Sequence, residues 1–207
     1  MKSGASELPI REQLPSQNQC LFSRESLILL WDCAFISNSS YCLSVIMDDS
    51  CDLFVLYEQY PNGGKIWLML GLEETTGSDY DDILTIARCL AESGHEVKVL
   101  HAIHYKDPLY REVFGELIGT RYYRKCPDLL VDDFFVEYES YKTDQPKKAF
   151  RNMLHNGLAQ SDNIILRQCS LTDGYMSQQI HGQILGGIPV SSVWIFDGKE
   201  VRLLYKY

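Results

Sequence analysis

From Ser78 onward the elements read as α β α β β α β α β β, an order that calls for an α/β (α+β) domain with a central mixed sheet flanked by helices. Two further observations point the same way. Apolar residues recur at helical spacing in several segments, and short β-branched or aromatic runs face each other across turns of hairpin type.

Residues 1–20, rich in Ser, Gln, Glu and Pro, read as a flexible leader. Residues 21–74 read as a β-rich N-terminal extension or subdomain, in which "DLFVLYEQYPNGGKIWLMLGL" is a hairpin over Pro-Asn-Gly-Gly. Residues 75–207 carry the main domain. Ser78 and Asp81 resemble a capping box, Ile83, Ile86, Ala87, Leu90 and Ala91 follow at helical spacing, and Gly94 ends the helix. "HEVKVLHA" is a strand. "KDPLYREVFGELIG" is a second helix, with Asp107 as cap, Pro108 at its first position and Gly119 at its end. "PDLLVDDFFVEYES" is a hairpin turning at Asp132-Asp133. Pro146 opens a third helix that runs to about Gln160, and "NIILRQ" is a buried strand. "DGYMSQQIHGQIL" is a fourth helix, and a hairpin over Asp197-Gly198 closes the chain.

No apolar run approaches the ~20 residues of a membrane span, and the N-terminus is polar, unlike a signal peptide. A cytoplasmic protein without a membrane partner is the expectation. The seven cysteines include no C-x-x-C pair, which argues against a zinc ribbon or a disulfide scaffold. No phosphate-loop, dinucleotide or G-x-S-x-G motif is present. The net charge of −9 is unevenly spread, because residues 1–100 hold 6 basic and 15 acidic side chains while residues 101–207 hold 13 of each. Lys142, Lys147, Lys148, Arg151 and Arg167 make a local basic stretch, so nucleic acid remains a possible partner despite the total charge.

The residues that ask for a function are acids inside apolar runs. On the second strand of the central hairpin, side-chain alternation places Phe135, Glu137 and Glu139 on one face. With a two-residue turn at Asp132-Asp133, Asp128 lies opposite Glu137 and on that same face. Three converging carboxylates repel one another, and Mg²⁺ or Mn²⁺ suits such a set of hard oxygen ligands. On the next helix Lys148, Arg151 and His155 form one stripe, placed to hold a phosphate backbone, and Gln160 at its end is placed to orient a phosphate or a base.

"PD", nine residues from Asp to Glu, then "EYE" resembles the PD-(D/E)xK signature of restriction-endonuclease-like nucleases. Asp79–Lys206 is similar, more specifically, to the C-terminal nuclease domains of contact-dependent-inhibition toxins, through "LAESGHEVKVL", "KCPDLLVDD" and "AQSDNIIL". The resemblance implies a restriction-endonuclease-like core and a metal-dependent nuclease, with Asp128 and Glu137 as metal ligands and an acid of the first helix, such as Asp82, assisting. Glu139 stands where the family carries lysine, a charge that Lys142 or Lys148 would have to supply. A related resemblance is to metal-independent toxin RNases, which would use His155, His181, Arg167 and Tyr175. A third reading is a nuclease-like fold without catalysis, used for binding or assembly, with the acidic N-terminal region as an internal inhibitor. Plain structural roles also stand beside these. Glu137 and Glu139 would then lie on a solvated sheet face paired with Lys142 or Arg124, Asp128 would bond nearby backbone N–H groups, and the helix stripe would be a wet face.

Overall fold

The computed structural model describes residues 53–72 and 78–207. The expected leader, most of the expected extension and the inhibitory contact expected from it lie outside these residues.

The elements in order are β1 (Phe54–Gln59), β2 (Lys65–Met69), α1 (Ser78–Glu92), β3 (Glu96–Val99), α2 (Pro108–Phe114), β4 (Leu129–Val131), β5 (Phe134–Glu139), α3 (Pro146–Leu158), β6 (Asn163–Arg167), α4 (Asp173–Leu185), β7 (Ser192–Phe196) and β8 (Val201–Lys206). The eight strands form one mixed sheet in chain order. β2–β3, β5–β6 and β6–β7 are parallel and are bridged by α1, α3 and α4, while the other neighbours are antiparallel. The hairpin expected within the N-terminal extension supplies the first two strands of this same sheet.

Alternation along the strands divides the interior in two. Val97, Val99, Leu129, Val136, Tyr138, Ile165 and Phe196 join the core under α1. Ile164, Leu166, Val193 and Ile195 join the core under α3 and α4. α2 also lies against the sheet, with Phe114 and Phe135 ring centroids 5.7 Å apart.

Most boundaries follow their sequence signals. Gly94 takes φ +97° after α1, and the carboxylate of Asp107 accepts the Leu109 N–H at 3.0 Å at the start of α2. α2 departs from expectation, because it ends at Phe114 and gives way to a 3₁₀ turn over Gly115–Leu117 before Gly119. The tighter winding turns both Phe114 and Leu117 inward, where they are buried. Among the described residues, no helix is long and apolar enough to cross a membrane. Cys89, Cys126 and Cys169 are free, half-buried thiols, and burial raises the pKa of each.

Candidate active site

β4 and β5 pair with Leu129 opposite Val136, so one step along the register sets Asp128 opposite Glu137. Asp128 is fixed there by two bonds. Its carbonyl accepts the Leu100 N–H at 2.8 Å, and its carboxylate accepts the Tyr138 N–H at 3.0 Å. Glu137 is 4 % exposed, which rules out the solvated-face reading for this side chain. Gln160, just beyond the end of α3, donates from Nε2 to Glu137 Oε1, and Glu137 Oε2 is buried without a partner.

Helix α3 closes on β5 through Gly157. A Cβ there would stand 3.1 Å from Ile164 Cγ2 and 3.3 Å from Glu139 Cγ, so the absence of a side chain lets helix and strand pack tightly here. Asp79, in the first turn of α1, comes to the end of β5, where the Ser140 hydroxyl donates to it at 2.9 Å. Asp128 and Glu139 thus feel the charge of Asp79, and Glu137 feels those of Asp128 and Glu139.

Their titration reflects that company. Burial, then Asp128, then Glu139 push the pKa of Glu137 far up. Burial raises Asp128, the Tyr138 N–H opposes, and Asp79 adds to the rise. Burial, then Asp128 and Asp79, push Glu139 up to about 7.

The other expected residues are distributed differently. Asp82 does not join the carboxylates. It forms an ion pair with Arg167 at 2.6 Å and accepts the Tyr138 hydroxyl at 2.6 Å, on the α1 side of the sheet. The acid that α1 brings to the site is Asp79, one turn earlier. Lys148, Arg151 and His155 are exposed on α3. Lys148 precedes Gly157 by nine residues, which at about 100° per residue puts it on the opposite side of the helix from Glu139. Arg151 bonds the Lys147 carbonyl at 3.3 Å, and Lys147 lies over the Tyr175 ring of α4. Lys142 is exposed in the loop between β5 and α3. Arg167 lies across the sheet from His155, Tyr175 and His181, which α3 and α4 carry on the other face, so the residues of a metal-free RNase are not brought together.

The donor set suits a small hard cation. Among the described residues, no group of three or more His, Cys, Asp or Glu is arranged to hold a metal ion. Mg²⁺, however, is commonly held by one or two carboxylates, with water and phosphate completing its shell. Asp128 and Glu137 provide such a pair, and the unpartnered Glu137 Oε2 is an oxygen that protein groups leave unsatisfied.

Gln160 also lines a cavity of about 250 Å³ with Leu117, Tyr122, Phe135 and Asp162. The Tyr122 hydroxyl is buried without a partner, and burial pushes its pKa up to about 12. Sequence reasoning missed Asp79 and Tyr122. It also missed the loop that carries Tyr122, although "RYYRK", with three cations, two tyrosines and no acid, is visible in the sequence.

Compared with protein-family models, curated proteins and solved structures, the chain matches none.

Proposed function

We propose that the chain is a divalent-metal-dependent nuclease that hydrolyses phosphodiester bonds at Asp128 and Glu137. One observation carries the reading: Asp128, one residue before β4, lies one register step from the Leu129–Val136 pair and so opposite Glu137, and Glu137 is 4 % exposed with Oε2 unpartnered. A buried carboxylate without a cation is costly, and such sites recur where chemistry needs them. The order α1, β3, α2, β4, β5, α3, β6, with β3 to β5 antiparallel, β6 parallel to β5, Asp128 just before β4 and Glu137 on β5, is the arrangement on which the resemblance to PD-(D/E)xK nucleases rests.

Asp128 and Glu137 would hold the ion, Mg²⁺ or Mn²⁺. When bound, the ion would supply a Lewis acid for phosphoryl oxygen and would lower the pKa of its water. The chain's own groups do the positioning. The Tyr138 N–H holds one oxygen of Asp128, and the Gln160 amide holds one oxygen of Glu137. Glu139, whose pKa burial pushes up to about 7 in the metal-free site, is placed to carry a proton, which suits a group that protonates a leaving oxygen. This role replaces that of the lysine in the resembled nucleases.

The test is cleavage of single- and double-stranded DNA and RNA with Mg²⁺, Mn²⁺ or EDTA. Asp128→Asn and Glu137→Gln should each lower metal-dependent cleavage by at least about 100-fold while remaining folded. Full activity in either folded variant, or undiminished cleavage in EDTA, would overturn the proposal. Glutamate at 139 favours a second reading, a binding fold without hydrolysis, for which Mn²⁺ binding in the absence of any cleavage would be the signature.

A further inference from the structure

Acidic residues outnumber basic ones 28 to 19, yet among the described residues several cations form no ion pair. Among the described residues the ion pairs are Arg88–Glu58, Arg167–Asp82 and Arg202–Asp173, and His95 Nδ1 meets Asp132 at 2.8 Å. None includes Lys106, Arg121, Arg124 or Lys125. Aromatic rings hold three of these instead. The Arg124 guanidinium is 4.4 Å from the Tyr105 centroid and 5.3 Å from that of Tyr123. Arg121 lies 5.4 Å from the Tyr122 ring, and Lys106 lies 5.9 Å from that of Tyr105.

The cations sit on two connected loops, one after β3 and one before β4. The Tyr110 hydroxyl donates to the Lys125 carbonyl at 3.0 Å and accepts the Arg124 N–H at 2.8 Å. Cys126 Sγ bonds the Ile103 carbonyl at 3.2 Å, and the Tyr123 ring stands edge-on to Tyr105 and Tyr110 at 6.3 Å from each. Arg124 takes φ +71°, in the left-handed region that long side chains seldom enter, and there its guanidinium reaches both tyrosine rings. The Leu100 N–H bonds the Asp128 carbonyl, so both loops leave the sheet at the candidate site. Lys125 is three residues from Asp128, no more than about 11 Å at Cα. Tyr122 reaches the cavity that Gln160 lines.

We propose that these loops are a binding track for single-stranded nucleic acid, with Lys106, Arg121, Arg124 and Lys125 on its phosphates and Tyr123 against its bases. Cations and rings in alternation are what a flexible strand requires, phosphates for the former and base faces for the latter. A positive track is also what brings a polyanion up to four carboxylates that would otherwise repel it. Tyr123 is 39 % exposed, and the cavity of about 250 Å³ gives room to a base turned out of its stack, which a duplex does not offer. The track rests on the nuclease reading for where it leads, and its affinity does not depend on that reading.

The test is binding of the full chain to a fluorescent single-stranded oligonucleotide and to its duplex, in EDTA so that nothing is cut. The wild type should prefer the single strand. Lys106→Glu combined with Arg121→Glu, both exposed, should weaken it at least tenfold. The salt dependence should flatten by about 0.7 in log–log slope for each phosphate that the protein no longer neutralises. Lys106→Gln with Arg121→Gln is the milder pair should the reversal disturb folding, and Tyr123→Leu should weaken single-strand binding without changing the salt slope. Unchanged affinity in folded loop variants, preference for the duplex, or binding to anionic vesicles or a phosphopeptide without oligonucleotide binding would each overturn the proposal. Single-strand binding that Glu137→Gln retains and the loop variants lose upholds the track even if no cleavage is found. Cleavage at unchanged KM in the loop variants overturns the track and leaves the nuclease reading standing.

Discussion

The Gln160 amide donates to one oxygen of Glu137 from just beyond the end of α3, and the other oxygen of that carboxylate is buried without a partner. Gln160→Ala removes the one side-chain donor that Glu137 has among the described residues. It should lower stability by about 1–3 kcal/mol in urea unfolding near neutral pH. Metal-dependent cleavage should fall as well, because Glu137 loses the bond that orients it.

The raised carboxylates fix the sign of the pH dependence. Glu139, with an ordinary value of 4.5 pushed up to about 7, contributes stability that is complete below about pH 4.5 and lost as pH rises through 7. Asp128 and Glu137 act in the same direction. In EDTA the thermal midpoint should therefore fall as pH is raised from 5 toward 8. Glu137→Gln should flatten that fall and exceed the wild type at pH 8 by about 1–3 kcal/mol. Added Mn²⁺ should stabilise the wild type most at the high end of this range, and the variant little.

Asp82 and Asp79 separate a structural acid from one at the site. Asp82→Asn weakens the pairing with Arg167 and with the Tyr138 hydroxyl. It should cost about 1–2 kcal/mol of stability and leave the cleavage rate of the folded protein close to that of the wild type. Asp79→Asn removes a neighbouring charge from Asp128 and Glu139, so it should lower the apparent pKa of the pH–rate profile. Equal pH–rate profiles for the two variants would contradict this division.

Two glycines carry close packing. A Cβ on Gly64 would fall 1.9 Å from the Ala91 carbonyl oxygen, so Gly64→Ala must move the β1–β2 hairpin away from α1. A loss of at least about 3 kcal/mol is expected in chemical unfolding. At Gly157 the nearest approaches are 3.1 and 3.3 Å, and one is to the flexible Glu139 side chain. Gly157→Ala should therefore cost less, with part of the loss offset by alanine's better helix propensity, about 1 kcal/mol.

The fold was readable because its signals are local. Asp107-Pro108, Gly94 and the Asp132-Asp133 turn each mark a boundary through backbone chemistry that needs no distant partner. Asp128 opposite Glu137 followed from turn length and alternation alone. The choice of α1 acid did not follow, because Asp79 and Asp82 lie three apart on one side of the helix. Which of them meets β5 depends on how the helix is seated along the sheet. The end of α2 escaped for a similar reason. Gly119 is a sound stop signal, but the burial of Phe114 and Leu117 winds the last turn more tightly than sequence periodicity foretells.

The chain-order sheet has a consequence for synthesis. Each described strand after the first pairs with the one made just before it, so each of these leaves the ribosome with that partner already made. β5 can dock on β4 before α3 exists, while Glu137 still faces water. Its carboxyl is closed in when α3 arrives with Gly157 and Gln160. The carboxyl whose pKa is raised furthest among the described residues is thus buried late, after the meander that carries it has been secured.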